Sequence, residues 1–99
     1  MREVQTEGLK KNYATNLKGV LSMAGVIAYM LLVTDTGKEY EIIKEIKKLK
    51  GVTECRAVYG EFDVFIRLEV DDLNALDEIV TQIRRVPGSI QSTTLVGSP

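Results

Sequence analysis

The chain has 99 residues, with 13 Lys and Arg against 14 Asp and Glu and a formal charge of -1. It is therefore one domain with a modest core and no global field to draw nucleic acid or an acidic membrane. Histidine and tryptophan are absent, which removes the commonest general base and metal ligand together with the strongest stacking ring. The single cysteine, Cys55, excludes an internal disulfide and, without a secretory signal, points to the cytoplasm; the longest apolar run, Val26–Val33, falls short of the roughly 18 residues of a membrane span.

Residues 1–23 differ from the rest. They are polar, with apolar positions at Leu9, Tyr13, Leu17 and Val20 that line up if Leu9–Leu21 is helical. The stripe is thin, so a short helix or an arm ordered by another subunit is expected, and Met23 offers a second start of translation. Residues 24–99 form the body. Val26–Thr34 is nearly all apolar, so both faces of this strand need cover. Thr36-Gly37-Lys38-Glu39 has the spacing of a capping box opening a helix over Lys38–Lys50. Ile42, Ile43, Ile46 and Leu49 form its apolar face, and Lys44, Lys47, Lys48 and Lys50 interleave with Glu39, Glu41 and Glu45 on a solvated one. Gly51 stops this helix, and a second strand runs to Tyr59.

After the turn Tyr59-Gly60-Glu61, the stretch Phe62–Val70 alternates. Phe62, Val64, Ile66, Leu68 and Val70 take one face; Asp63, Phe65, Arg67 and Glu69 take the other. Arg67 and Glu69 suit cross-strand or cross-subunit ion pairs. Asp63 stands apart, because a glycine turn lets a small molecule approach the backbone and the aspartate offers an acceptor to an ammonium group. A second helix starts at Asp71 or Asp72 and buries Leu73, Leu76, Ile79, Val80, Ile83 and Val86. It ends at Arg84-Arg85 before Pro87-Gly88, and a last polar strand reaches Val96.

The chain thus runs twice through strand, helix, glycine and strand. Right-handed crossovers place both helices on one face of a four-stranded sheet, an α+β fold. The bare face would carry either Ile27, Tyr29, Leu31 and Val33 or Val26, Ala28, Met30 and Leu32, a larger apolar patch than soluble monomers expose. A dimer with its two sheets face to face is expected.

The turn Tyr59-Gly60-Glu61-Phe62-Asp63, the helix start Asp71-Asp72-Leu73 and the closing Val86-Pro87-Gly88-Ser89-Ile90-Gln91-Ser92-Thr93-Thr94-Leu95-Val96 resemble the C-terminal effector (RAM) domain of the Lrp/AsnC family, over Ala24–Val96. The resemblance implies a ferredoxin-like βαββαβ fold, a dimeric α+β barrel, assembly of dimers into larger even oligomers, and small effectors, typically amino acids, near the interfaces between dimers. Carried over, the ligand-binding residues are Tyr59, Gly60, Asp63, Gln91, Ser92, Thr93 and Thr94. The family often has Thr-x-Thr in the last strand, whereas this chain reads Thr93-Thr94-Leu95. About 22 leading residues cannot hold the family's helix-turn-helix DNA reader. The expectation is a stand-alone, cytoplasmic domain without catalytic residues, cofactor, metal or direct nucleic-acid contact, whose partners are an amino-acid effector, further copies of itself and full-length Lrp/AsnC regulators.

Four rival readings remain beside it. One is an assembly module with no ligand. Another is a small dimeric α+β-barrel enzyme, in which Tyr29, Asp63 and Arg67 would have to share a pocket. An RNA-recognition module is disfavoured because Phe62 and Phe65 fall on opposite strand faces. An ACT-like domain lacks its glycine-rich signature after the first strand.

Overall fold

The computed structural model describes residues 13–15, 21–23 and 25–97. Tyr13–Thr15 (β1) and Leu21–Met23 (β2) pair antiparallel, with Tyr13 opposite Met23. This replaces the short helix expected over Leu9–Leu21. Asn16 and Gly19 are poor residues for a helix interior, and the thin apolar stripe supplies too little to offset them. The rest of the arm lies outside the described residues.

The body follows as β3 (Val26–Thr34), α1 (Glu39–Ile46), β4 (Val52–Ala57), β5 (Val64–Val70), α2 (Leu73–Arg84) and β6 (Ser89–Val96). The sheet order is β4-β5-β3-β6, with every neighbouring pair antiparallel. This is the βαββαβ, ferredoxin-like arrangement, with the two most apolar strands in the centre.

Burial settles which set of β3 faces the helices. Ala28, Met30 and Leu32 are fully buried, as are Val64, Ile66 and Leu68 opposite them on β5. Ile42, Ile43 and Ile46 of α1 and Leu76, Ile79 and Ile83 of α2 close the layer from above. Each fully buried side chain of this size contributes about 1.5–3 kcal/mol, so this layer dominates the stability. Leu73 is 64% exposed, contrary to expectation, because only from Leu76 onward does the apolar stripe of α2 meet the sheet.

The helix ends follow local chemistry. Asp72 caps α2, its Oδ1 accepting from the Ala75 N–H at 2.8 Å. The capping box at Thr36 does not form. Lys38 N–H donates instead to Asp35 O at 3.0 Å, closing a β-turn with Gly37 at φ +82°, and Lys38 becomes the N-cap without a side-chain hydrogen bond. Likewise α1 ends at Ile46, short of Lys50. Lys48 and Leu49 donate to carbonyls three residues back, tightening the last turn before Gly51.

Both edge strands carry an irregularity. On β4 the register shifts between Val52 and Glu54, leaving Thr53 as the extra residue. On β6 it shifts where Val33 faces Gln91 and Thr34 faces Ser89, leaving Ile90 unpaired.

The face opposite the helices carries Ile27, Tyr29, Leu31 and Val33 of β3, Phe65, Arg67 and Glu69 of β5, and Gln91, Thr93 and Leu95 of β6. The Tyr29 and Phe65 rings stack with centroids 6.1 Å apart. Arg67 pairs with Glu69 along the same strand, and its Nη1 also donates to Thr53 Oγ1 at 2.9 Å. The expected cross-strand or cross-subunit partner is therefore a neighbour on the same strand. Burial works against the Arg67 charge, but hydrogen bonding and attraction from Glu69, with Tyr29, outweigh it and raise its pKa.

Candidate functional site

Two hairpin features bring the turn Tyr59–Asp63 to the C-terminal end of β3. Val58 N–H donates to Asp63 O at 3.0 Å, closing the β4–β5 connection, and Asp63 N–H donates to Leu32 O at 2.7 Å, extending the ladder beyond Val64. Gly60 sits at φ +123° with open space where a Cβ would stand. A side chain there would be strained by the backbone and not by crowding. Phe62 and Asp63 belong to this connection, so β5 starts two residues later than the alternation suggested.

The Asp63 carboxylate faces back to the sheet. Its Oδ2 accepts from the Thr34 N–H at 2.9 Å, where β3 ends and its register with β6 breaks. This bond satisfies a backbone donor that the ladder leaves open, and the remaining carboxylate lone pairs stay available to a ligand donor.

Tyr59, Gly60 and Asp63 line a cleft of about 240 Å³ together with Glu39, Tyr40, Ala57 and Val58. Tyr59 is fully exposed and Tyr40 is 73% exposed, so their rings stand as free walls. Glu39 and Tyr40 were not among the expected site residues. They enter because the crossover from β3 sets the start of α1 beside the β4–β5 turn, a juxtaposition across some twenty residues of chain that no local pattern announces. Glu39 Oε1 is shielded from solvent and has no hydrogen-bond partner. Thr34 Oγ1, at the same end of β3, is likewise buried and unpartnered.

The last-strand candidates lie elsewhere. Gln91 and Ser92 line a separate depression with Arg84, Ser89 and Ile90. Along β6, Gln91 and Thr93 stand on the open sheet face opposite Val33 and Leu31, while Ser92 and Thr94 stand on the helix side opposite Leu32 and Met30. In the sheet order β3 stands between β5, which the turn opens, and β6, and the turn and Gln91–Ser92 line different depressions. One chain therefore brings Tyr59, Gly60 and Asp63 together and keeps Gln91, Ser92, Thr93 and Thr94 apart from them. Tyr29 and Arg67, the other members of the enzyme reading, lie on the open sheet face and do not line the Asp63 cleft.

A larger cleft, about 460 Å³, opens at the far end of the sheet, lined by Lys50, Gly51, Glu69, Asp71, Glu78 and Gln82 among others. None of the expected site residues borders it. Cys55 lies under the helices, and burial pushes its thiol up to about 11 against the pull of Lys47, which leaves it a small apolar filler. Among the described residues, no helix is long and apolar enough to cross a membrane.

The family model for the Lrp/AsnC ligand binding domain matches residues 27–97. Among solved structures, FFRP-DM1 is 35% identical, with a TM-score of 0.71, over 74% of this chain and 99% of that one. The hypothetical protein PHS023 from Pyrococcus horikoshii is also 35% identical with a TM-score of 0.71, over 75% of this chain and 90% of its own. Escherichia coli AsnC shares the fold at 17% identity and a TM-score of 0.68, this chain spanning 59% of its length. No curated protein sequence matches the chain.

Proposed function

Since the chain belongs to the Lrp/AsnC ligand-binding domain family, we propose that it is a cytoplasmic amino-acid-binding and oligomerisation domain acting in transcriptional regulation, with neither enzymatic activity nor DNA contact of its own. The observation that carries this reading is the cleft at the β4–β5 turn. There a glycine at positive φ, an aspartate with spare acceptor capacity and two exposed aromatic rings converge without any group disposed as an activated nucleophile. A related fold at 19% identity and a TM-score of 0.66 is the transcriptional regulator NMB0573 of Neisseria meningitidis, described as a complex with L-Met. That description supports an amino acid as the class of effector.

Asp63 takes the ligand's α-ammonium on the lone pairs not used by Thr34. Its own amide is committed to Leu32 O, so the α-carboxylate falls to the amides of Gly60, Glu61 and Phe62. Gln91, Ser92, Thr93 and Thr94 complete the pocket from a neighbouring subunit, since the same chain's β6 lies beyond β3 and none of the four lines the Asp63 cleft. The open sheet face pairs with a second copy about a two-fold axis, and contact between dimers builds higher even oligomers. Effector binding then shifts assembly by its differential affinity for the assembled and dissociated states, and full-length Lrp/AsnC regulators are reached through the same surfaces.

Static light scattering with each of the twenty amino acids tests this. One or two of them should change the assembly state, and Asp63→Ala should abolish the response. Equal affinity and unchanged assembly in Asp63→Ala would remove the assignment of that residue. A second reading, a ligand-free assembly module, draws on the Asp63–Thr34 hydrogen bond, which gives the aspartate a structural purpose. It requires an oligomer indifferent to all twenty.

A further inference from the structure

The cleft beside the β4–β5 turn carries more acid than an α-amino acid needs. Asp63 is sufficient to receive one ammonium group, yet Glu39 lines the same 240 Å³ and no lysine or arginine lines it. The adjacent cation, Lys38, is turned to Glu41, with 3.9 Å between Nζ and Oε1. Glu39 Oε1 is buried with no donor, which is costly for a carboxylate oxygen. Arg67 shows the contrast: its carboxylate neighbour Glu69 is paired within the chain.

The walls fit the same chemistry. Tyr40 and Tyr59 border the cleft and are the most exposed aromatic residues among residues 25–97. An exposed ring beside carboxylates attracts a cation through its negative π-face, whereas an apolar ligand gains only contact area. Charge balance points the same way. A zwitterion with a neutral side chain brings no net charge to two carboxylates, an acidic one adds a third, and a basic one brings a net positive charge.

Resting on the proposal that this cleft binds an amino acid, we infer that its effector has a cationic side chain, of the lysine or arginine class, whose distal ammonium or guanidinium meets Glu39 between Tyr40 and Tyr59. The cleft volume, below the roughly 300–1,000 Å³ of drug-sized sites, suits a single amino acid.

Isothermal titration of the intact chain with each of the twenty amino acids decides it, using Glu39→Gln and Tyr40→Ala alongside the parent protein. Lysine or arginine should bind about ten-fold or more tighter than leucine and methionine, the scale of one charge-assisted hydrogen bond. Glu39→Gln should erase that preference by lowering the affinity for lysine and arginine at least about ten-fold more than that for leucine and methionine, and Tyr40→Ala should reduce it. Tightest binding of a neutral or acidic amino acid would overturn this inference and leave the amino-acid reading intact. The same holds if the basic preference survives in Glu39→Gln. Binding of none of the twenty would overturn both. The ranking on the parent protein stands independently of whether either variant folds.

Discussion

A carboxylate placed in the middle of the open sheet face should separate the subunits without unfolding them. Leu31 lies opposite Phe65 on one side and Thr93 on the other, beside the stacked Tyr29 and Phe65 rings, and its side chain points away from the helices. Within one chain it is only half-buried, so Leu31→Asp spares the layer of Met30, Leu32 and Ile66. In a two-fold pair the substitution occurs on both sides of the seam. An uncompensated buried charge costs about 3–5 kcal/mol, so two cost about 6–10 kcal/mol, or at least about four orders of magnitude in the dissociation constant. Sedimentation equilibrium from about 1 to 100 μM, with far-ultraviolet circular dichroism to confirm folding, reads both parts; even a nanomolar dimer would be largely monomeric over the lower half of that range. A folded Leu31→Asp protein that remains dimeric at 1 μM would refute the assignment of this face to the interface.

Other expectations concern the fold. Asp72→Ala removes the hydrogen bond to Ala75 N–H and should cost about 1 kcal/mol, a fall of about 4–8 °C in Tm by thermal circular dichroism. Ile66→Ala opens a cavity under both helices at a residue with no exposure and should cost about 2–5 kcal/mol in urea unfolding. The Cys55 thiol is raised from 9.0 to about 11 in the fold, so the folded state holds its proton longer than the unfolded chain does. The stability this contributes is complete below pH 9 and is lost as pH rises to about 11, and urea midpoints should fall less across that window in Cys55→Ala than in the parent. Thiol reagents should label Cys55 only after unfolding.

The sequence carried the fold in its period and its punctuation. Val26–Thr34 has the same bounds in the structure as in the apolar run, and the alternation of β5 named the buried set Val64, Ile66 and Leu68. Burial needs only the side-chain period and the handedness of the crossovers, both local or universal rules. What the pattern could not carry was competition between two local solutions. Thr36 and Glu39 have capping-box spacing, but Gly37 permits a β-turn that uses Lys38 N–H first. The candidate cleft was legible in part for the same reason. Tyr59, Gly60 and Asp63 belong to one turn and line it together, whereas Glu39 reaches the cleft only through tertiary packing. In sequence its charge reads as an ordinary first-turn glutamate suited to the helix dipole. The strand Gln91–Thr94 has suitable polar groups, but strand order sets it on the far side of β3.

The irregularities at Thr53 and Ile90 bear on what kind of assembly this sheet permits. An open sheet has two free rims, and a straight rim can template one copy after another without limit. Here each rim is interrupted by an inserted residue, which bends the strand and breaks the repeat of donors and acceptors that an incoming strand must match. Growth by strand addition is thereby discouraged at both ends of the sheet. The broad apolar face remains, and a face that pairs about a two-fold axis is used up by a single partner. On the proposed two-fold pairing of that face, assemblies close on themselves, and a substitution that straightened either rim would be expected to convert a counted oligomer into an open-ended one.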